Sequence, residues 1–319
     1  MIPTLHIQKI NIRQIDFDDF TYSLSPLPNN KPDQSIRESI NRVGIQHPPV
    51  SKEKAAELYL IVAGRQRLMA ARHILTDDFC DCFLLPREMT ERDTLAILLE
   101  EILSTRPLTS LEQAVFLQKA GGFLDEDQIT ADILPLLGLP RHSHHIHQAL
   151  SLLELEEPLL RGIELGILDE RVALDMTELS CRDRLAVYEI IELLNLSTSN
   201  QKKFLTICRD LGARTGQKIA DLLDDHEFRH IIDHREANPP QKTANIMSWL
   251  KSRKSPRYCE AEKKFNHLVS SLELPKSIRI DHTPFFENDL TTLSISFKNL
   301  QQFREKWQKI KEVLDNEKN

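Results

Sequence analysis

The apolar positions of this chain fall into two regimes. Up to about residue 87 they form short runs and alternations; beyond it they recur at three- and four-residue spacing almost without a break. In the first regime, residues 2–12 (IPTLHIQKINI) alternate and predict a strand. Residues 16–33 are polar and rich in Pro and Asn, which predicts a loop. Over residues 33–43, Ile36, Ile40 and Val43 share one helical face, with Asp33 placed to cap the helix and Gly44 to stop it. Pro48-Pro49-Val50 predicts a short extended run. Residues 58–63 (LYLIVA) are continuously apolar, as in a strand covered on both faces. Gly64 ends that run, and Arg65-Gln66-Arg67 open a helix through Ala71 to Leu75. Residues 79–85 (FCDCFLL) predict another strand, with Cys80 and Cys82 on one face and packed in a core.

The second regime is helical. Residues 90–105 begin with a cap and two acids, and Pro107 interrupts before Thr109 and Ser110 cap the next helix over residues 111–124. Residues 128–137, the turn Gly138-Leu139-Pro140 and residues 141–153 have the spacing of a helix-turn-helix, whose second helix enters the major groove. Its core face would be Ile146, Ala149, Leu150, Leu152 and Leu153. Its outward face would offer Arg141, His142, Ser143, His144, His147 and Gln148 to DNA. Any helical hairpin in a bundle shares this pattern. The histidines His142, His144, His145 and His147 lack a Cys or carboxylate among them to complete a tetrahedral metal set, and read as surface or phosphate-contacting groups.

Residues 156–236 continue as four or five amphipathic helices with no catalytic signature, and Asn238-Pro239-Pro240 breaks the pattern. Residues 237–257 read as a basic linker, helical in part, carrying Lys251, Arg253, Lys254 and Arg257. The tail then predicts a helix over 258–274, a strand over 277–281, a turn over 285–289, an alternating strand over 290–297 and a closing helix over 299–314. A lone two-stranded hairpin is marginal in water, so this face gains most by pairing with a second copy. The fold class is therefore mainly α and multidomain. A small α/β domain (1–88) precedes an all-α domain (89–236), a basic linker (237–257) and a small α+β domain (258–319) that dimerises.

Composition narrows this further. The 319 residues suffice for two or three domains, and 6% aromatics with only 9 Gly favour helices over a β-sandwich. No signal segment opens the chain and no apolar run approaches the ~20 residues of a membrane span, so a cytoplasmic location and no membrane partner are expected. The five Cys are scattered without a C-x-x-C pair, which suggests neither a zinc ribbon nor a disulfide framework. Net charge is −7, unevenly spread: residues 1–240 carry about −12 and residues 241–319 about +5. Affinity for phosphate must come from local patches. One such patch is the turn Gly64-Arg65-Gln66-Arg67, where backbone N–H groups and arginines at a helix N-terminus favour an anion; the alternative is a surface turn with solvated arginines.

The pattern G-I-x-x-P-P-V from Gly44 to Val50, followed by Y-x-I-V-x-G-x-x-R-x-x-A-A from Tyr59 to Ala71, resembles the N-terminal domain of ParB-type partition proteins. Sulfiredoxins share that fold, but the reactive Cys they carry in this turn is absent. After the helix-turn-helix the family carries a segment similar to residues 153–174 (LELEEPLLRGIELGILDERVAL), which retain Leu155, Gly166, Leu168 and Ala173. The C-terminal helix–hairpin–helix is similar in pattern to the family's dimerisation domain.

The resemblance implies a dimeric, nucleoid-associated protein that binds double-stranded DNA and acts in plasmid or chromosome partition. It also implies CTP and Mg²⁺, with Gly64, Arg65, Gln66 and Arg67 at the phosphates, and a ParA-type ATPase as partner, for which the short stretch ahead of the first strand offers no obvious contact segment. Three departures point to a degenerate or altered pocket. Gln66 stands where the family's box has its first Arg. Of a Glu-Asn-x-x-Arg motif only Glu101 remains, with Arg106 one residue late. A Gln-Pro-Arg near the first strand is missing. Glu101 is the one candidate for Mg²⁺ or catalysis, and on spacing alone it is a solvent-facing helical Glu. Two further functions stay open: a nucleotide-dependent enzyme on this fold (CTPase, phosphotransferase or nuclease, with Glu101 as carboxylate and Arg65 and Arg67 as clamps), and a helix-turn-helix transcription regulator with no clamp.

Overall fold

Helix α1 (Gln34–Val43) shows how literally the local code is obeyed. The Asp33 side chain accepts the N–H groups of Ser35 and Ile36, and Gly44 ends the helix at φ 75°, where a side chain would be strained. The computed structural model describes residues 6–27, 32–74, 78–272, 274–275, 277–283 and 290–316. Residues 2–5 of the first expected strand, Leu75 and the expected turn at 285–289 lie outside the described residues. The chain divides into two compact units, residues 1–193 and 194–319.

The first unit is built on a five-stranded mixed sheet. Its strands are β1 (His6–Asn11), β2 (Ile15–Asp16), β3 (Val50–Ala55), β4 (Leu58–Ala63) and β5 (Phe79–Leu85), in the order β1-β5-β3-β4-β2. β1 and β5 pair antiparallel, with His6 opposite Leu84 and Asn11 opposite Phe79. β3 runs parallel to β5 and antiparallel to β4, and β2 parallel to β4. Helix α2 (Arg65–Ile74) comes directly after β4 and buries Leu68, Met69, Ala70 and Ala71. Cys80 and Cys82 are buried core residues, as the alternation of β5 predicts.

β3 is longer than its apolar signal. Beyond Val50 it continues through Ser51 and Lys52, both buried. Lys52 is 5% exposed, and its Nζ donates to Met89 O at 2.8 Å, Glu91 Oε1 at 3.0 Å and Tyr22 Oη at 3.3 Å. Tyr22 Oη in turn donates to Glu91 Oε2 at 2.7 Å. Burial, reinforced by the Glu91 carboxylate, pushes the Tyr22 hydroxyl pKa up. The buried ammonium is thus satisfied by a closed network that ties the segment after β2 to the helical layer.

That layer consists of α3 (Glu91–Leu103), α4 (Ser110–Ala120), α5 (Glu126–Gln128) with its π-turn continuation Ile129–Ile133, α6 (His144–Leu152), α7 (Glu157–Glu164), α8 (Glu170–Met176) and α9 (Cys181–Leu194). Thr90 caps α3, and Thr109 with Glu112 forms a capping box on α4. One hydrophobic cluster runs from the sheet (Val50, Val62, Leu85) through α3 and α4 to Leu134 and Ile146, so the α/β part and the helices around residues 128–153 share an interior.

The second unit contains α10 (Thr198–Thr215), α11 (Ile219–Leu223), α12 (His226–Asp233), α13 (Pro239–Lys254), α14 (Pro256–Ser271), β6 (Ile278–His282), β7 (Thr291–Ile295) and α15 (Leu300–Asn316). Between residues 156 and 236 the structure has six helices, one more than the largest expected number, because the five-residue α11 is separate. Over residues 237–257, read as a basic linker that is helical in part, the helical part is α13: Asn238 caps it through a capping box with Gln241, and the two prolines occupy its first positions, where a missing N–H costs nothing. Two of its cations are paired at home: Arg253 lies 4.5 Å over the Trp249 ring and bonds Asp225 and Glu227, while Lys254 bonds Asp210 at 2.5 Å. β6 and β7 pair antiparallel, with Ile278 opposite Ile295. Among the described residues no helix is long and apolar enough to cross a membrane.

Candidate anion-binding cleft and DNA-facing surface

The turn from β4 into α2 opens on a cleft of about 980 Å³ within the first unit. Its floor is Ile61, Val62, Ala63 and Gly64. One wall is the segment Tyr22–Ser25 with Leu27. The other is the C-terminal half of α3 and the loop after it, from Leu98 and Glu101 through Ser104 and Thr105 to Arg106. The volume and the mix of apolar floor and convergent polar groups suit a ligand of nucleotide size. Gly64, Arg65, Gln66, Arg67 and Glu101 all line this one cleft. Arg65 and Arg67 are partly buried and hydrogen-bonded, and Glu101 pairs with Arg67 at 3.1 Å. Arg106 lines it as well, one residue late or not, and Glu112 and Glu164 complete its rim.

The five candidates do different work. The first helical bond of α2 runs from Leu68 N–H to Gly64 O at 3.1 Å. The N–H groups at the very start of a helix have no partner within it and favour an anion. Gly64 sits at φ 82°, and a Cβ there would lie 2.9 Å from Arg67 Nε and Nη2. The Arg67 guanidinium thus folds back over the glycine, where it donates to His47 O and to Glu101 Oε1, the latter at 3.1 Å.

Arg65 is committed elsewhere. Its guanidinium donates to Phe17 O at 2.7 Å and to Asp19 O, and it lies 4.2 Å over the Phe20 ring. Burial lowers its pKa, partly offset by Asp19, Asp16 and Asp18. It anchors the segment after β2, which forms the Tyr22–Ser25 wall. Gln66 Oε1 accepts the Asp33 backbone N–H at 2.9 Å, joining α2 to the start of α1. Of the two cleft arginines facing Glu partners, Arg106 makes a two-pronged pair with Glu112, both N···O distances 2.7 Å. Burial would raise the Glu112 carboxyl, but Arg106 and the Thr109 amide outweigh it and hold the pKa below the usual range.

Three arginines and three glutamates therefore line the cleft, and Arg67 and Arg106 each face an internal carboxylate. An entering phosphate competes with Glu101 and Glu112 for them. Among the described residues no group of three or more His, Cys, Asp or Glu is placed to hold a metal ion by side chains alone. Mg²⁺ is commonly held by one carboxylate together with the ligand's own phosphates and water, a role that Glu101 at the cleft wall fits.

The second candidate surface is the start of α6. Arg141, His142, Ser143, His144, His147 and Gln148 are all exposed, while Ile146 and Leu152 are buried and Ala149, Leu150 and Leu153 pack against the same core. α6 rests on α4, and the π-turn continuation of α5 precedes it through Gly138 at φ 74°. The His142, His144 and His145 rings cluster with centroids 3.9–6.5 Å apart, and His147 Nε2 lies 3.4 Å from Glu126 Oε1.

No protein-family model matches the chain, and no curated protein sequence matches it significantly. Among solved structures it is similar to the C-terminally truncated chromosome-partitioning protein ParB from Caulobacter crescentus in two complexes. The one complexed with CTP-gamma-S is 19% identical, with 58% of this chain aligned to 98% of that one and a TM-score of 0.26. The one complexed to the centromeric parS site is 19% identical, with 61% aligned to 96% and a TM-score of 0.35.

Proposed function

We propose that this chain is a ParB-like DNA-binding protein of the partition type, acting as a homodimer, with an altered nucleotide pocket in its first unit. The observation that carries the reading is the meeting of two sequence motifs in one cleft. The Gly64–Arg67 turn lines a cleft of nucleotide size together with Glu101, which Arg67 touches at 3.1 Å, and Arg106, the remnants of the family's Glu-Asn-x-x-Arg motif. CTP phosphates would lie at the start of α2 beside Arg67, with Mg²⁺ at Glu101. Arg65 and Gln66 support the site from behind. The exposed face of α6 reads the duplex, and the hairpin and α15 of the second unit pair with those of a second copy. A ParA-type ATPase is the corresponding motor partner, and the protein acts at the nucleoid.

A thermal-shift series with each nucleoside triphosphate, with and without Mg²⁺, tests the pocket, because a ligand of the folded state raises Tm. CTP should raise it most; no shift with any nucleotide would remove the pocket from the reading. Labelled duplex titrated at two salt concentrations tests the DNA surface, where affinity should fall steeply as salt rises.

The internal pairing of Arg67 and Arg106 favours one second reading: a regulator that uses α6 on DNA and leaves the cleft closed by its own ion pairs. It predicts duplex binding indifferent to CTP.

A further inference from the structure

Duplex-binding surfaces draw most of their affinity from cations placed on phosphates. The helix pair offered here is short of them. From Asp125, which caps α5, to the end of α6 at Leu152, the only permanent cation is Arg141, against Asp125, Glu126, Asp127 and Asp132. With neutral imidazoles this segment carries −3. The side chains standing where Lys or Arg would be expected are His142, His144, His145 and His147, and protonating all four makes it +1. The same holds for the whole chain: net −7 with neutral histidines becomes +5 with all 12 protonated.

From this we infer that the histidine cluster at the start of α6 is the phosphate-binding element of the surface and engages duplex DNA in its protonated form, so that DNA binding takes up protons and strengthens as pH falls. The inference rests on the duplex-binding reading of α6 and adds to it the group that supplies the charge.

The geometry suits the role. His142, His144 and His147 are exposed, and His145 is half-buried against His144 at 3.9 Å between ring centroids. Packed imidazoles repel one another when charged, and a phosphate beside them removes that penalty, which is how binding couples to protonation. Imidazole is the side chain whose ordinary titration falls between pH 5 and 8. Charged groups on the elements packed against α6 are few and mostly engaged. Glu126 of α5 faces His147 at 3.4 Å. On α4, Glu112 pairs with Arg106 and Lys119 donates to Thr21 O; on α8, Glu170 accepts from Ser110, beside Arg171 and Asp175. Among the described residues, Glu126 is the one carboxylate within ion-pair distance of the cluster.

The test is fluorescence anisotropy of a labelled duplex with the full chain from pH 6.0 to 8.5, at fixed ionic strength and with EDTA present to remove any metal bridge. Affinity should rise by about tenfold or more per pH unit below pH 7.5, and the salt slope should be steeper at pH 6 than at pH 8 by about one to three phosphates. The quadruple variant His142→Gln, His144→Gln, His145→Gln, His147→Gln, with its fold checked by circular dichroism, should lose that pH dependence and bind weakly at pH 6. His144→Lys with His147→Lys should restore binding at pH 8. Equal wild-type affinity at pH 6 and pH 8, or a quadruple variant that keeps the pH dependence, overturns the inference and leaves duplex binding standing. Absence of binding at every pH and at low salt overturns the reading beneath it.

Discussion

Arg67 and Glu101, 34 residues apart in sequence, meet at 3.1 Å, with the Arg67 guanidinium 2.9 Å from where a Cβ on Gly64 would stand. The glycine is needed twice over: for its φ of 82°, and because a Cβ would displace the guanidinium that the pair holds in place. Gly64→Ala should therefore cost about 1–2 kcal/mol in urea unfolding through backbone strain alone. It should also abolish any Tm rise on adding CTP. An alanine variant with wild-type stability and wild-type nucleotide response would show that neither constraint operates.

Glu101 holds Arg67 in the absence of ligand and, in the proposed function, holds Mg²⁺ in its presence. The pair is part-exposed, so Glu101→Gln should change stability by less than about 1 kcal/mol. Its effect on ligand should depend on the metal. In EDTA the freed Arg67 should give a larger Tm rise with CTP than in wild type; with Mg²⁺ the order should reverse. An identical response in both buffers would place Glu101 outside the binding chemistry.

Lys52 is the buried charge on which the cleft's Tyr22 wall depends. Removing one member of such a network leaves the others buried and unsatisfied, so Lys52→Ala should destabilise by about 3 kcal/mol. Glu91→Gln, which keeps one acceptor oxygen for Lys52 and leaves Lys52 its bond to Met89 O, should cost less. Equilibrium denaturation of the two variants compares them directly.

These residues also mark how much of the molecule was legible in its sequence. Caps and stops were: Asp33, Gly44, Thr90 and Thr109 do what their positions predict, because capping is a local interaction. The start of α2 after Gly64 and the outward placement of Arg141, His142, His144 and His147 were legible from periodicity, while what the turn binds stayed open between an anion and solvent. The length of β3 was not, since its two buried positions beyond Val50 are Ser51 and Lys52, and burial of a polar side chain depends on partners far away in sequence. The commitments of Arg65 to Phe17 and Asp19, and of Gln66 to Asp33, were hidden for the same reason. So was the pairing of Arg106 with Glu112, whose i, i+6 spacing crosses a helix break at Pro107. The start of α13 was less plain than its body, because Asn-Pro-Pro ends a helix as readily as it begins one; Gln241, the other half of the capping box, is the signal that decides it.

Glu156 and Arg184 form an enclosed ion pair, their side chains 19% and 14% exposed, with N···O distances down to 2.6 Å. Burial would raise the Glu156 carboxyl, but Arg184 and the Cys181 thiol outweigh it, so its pKa in the fold lies below the ordinary 4.5. A carboxylate depressed in the fold adds stability that is complete above its unfolded value and is lost as pH falls through the folded one. The loss therefore begins near pH 4.5 and proceeds downward, in step with Glu112 and Glu91, which shift the same way. Glu156→Gln should be less stable than wild type at pH 7, and the gap should narrow below pH 4.5. Urea midpoints at pH 7, 5 and 3.5 read it; a gap that widens with acid would reverse the sign.

The second unit leaves Leu290, Leu293, Phe297, Leu300 and Trp307 exposed, from 40% for Leu293 to 72% for Leu300. Phe297, Phe303 and Trp307 form a ladder with centroids 5.1 and 6.2 Å apart. Single exposed apolar residues are ordinary, but five drawn from one hairpin and the helix after it are what a self-complementary interface leaves open on a single copy. A two-stranded sheet of five-residue strands also has little interior of its own. Sedimentation equilibrium should therefore find the chain dimeric at micromolar concentration. Leu293→Arg with Trp307→Glu should shift it to monomer while leaving the circular dichroism of the helices intact. A monomeric wild-type chain at the highest attainable concentration would sink the dimer. A dimer untouched by both substitutions would move the interface to another surface.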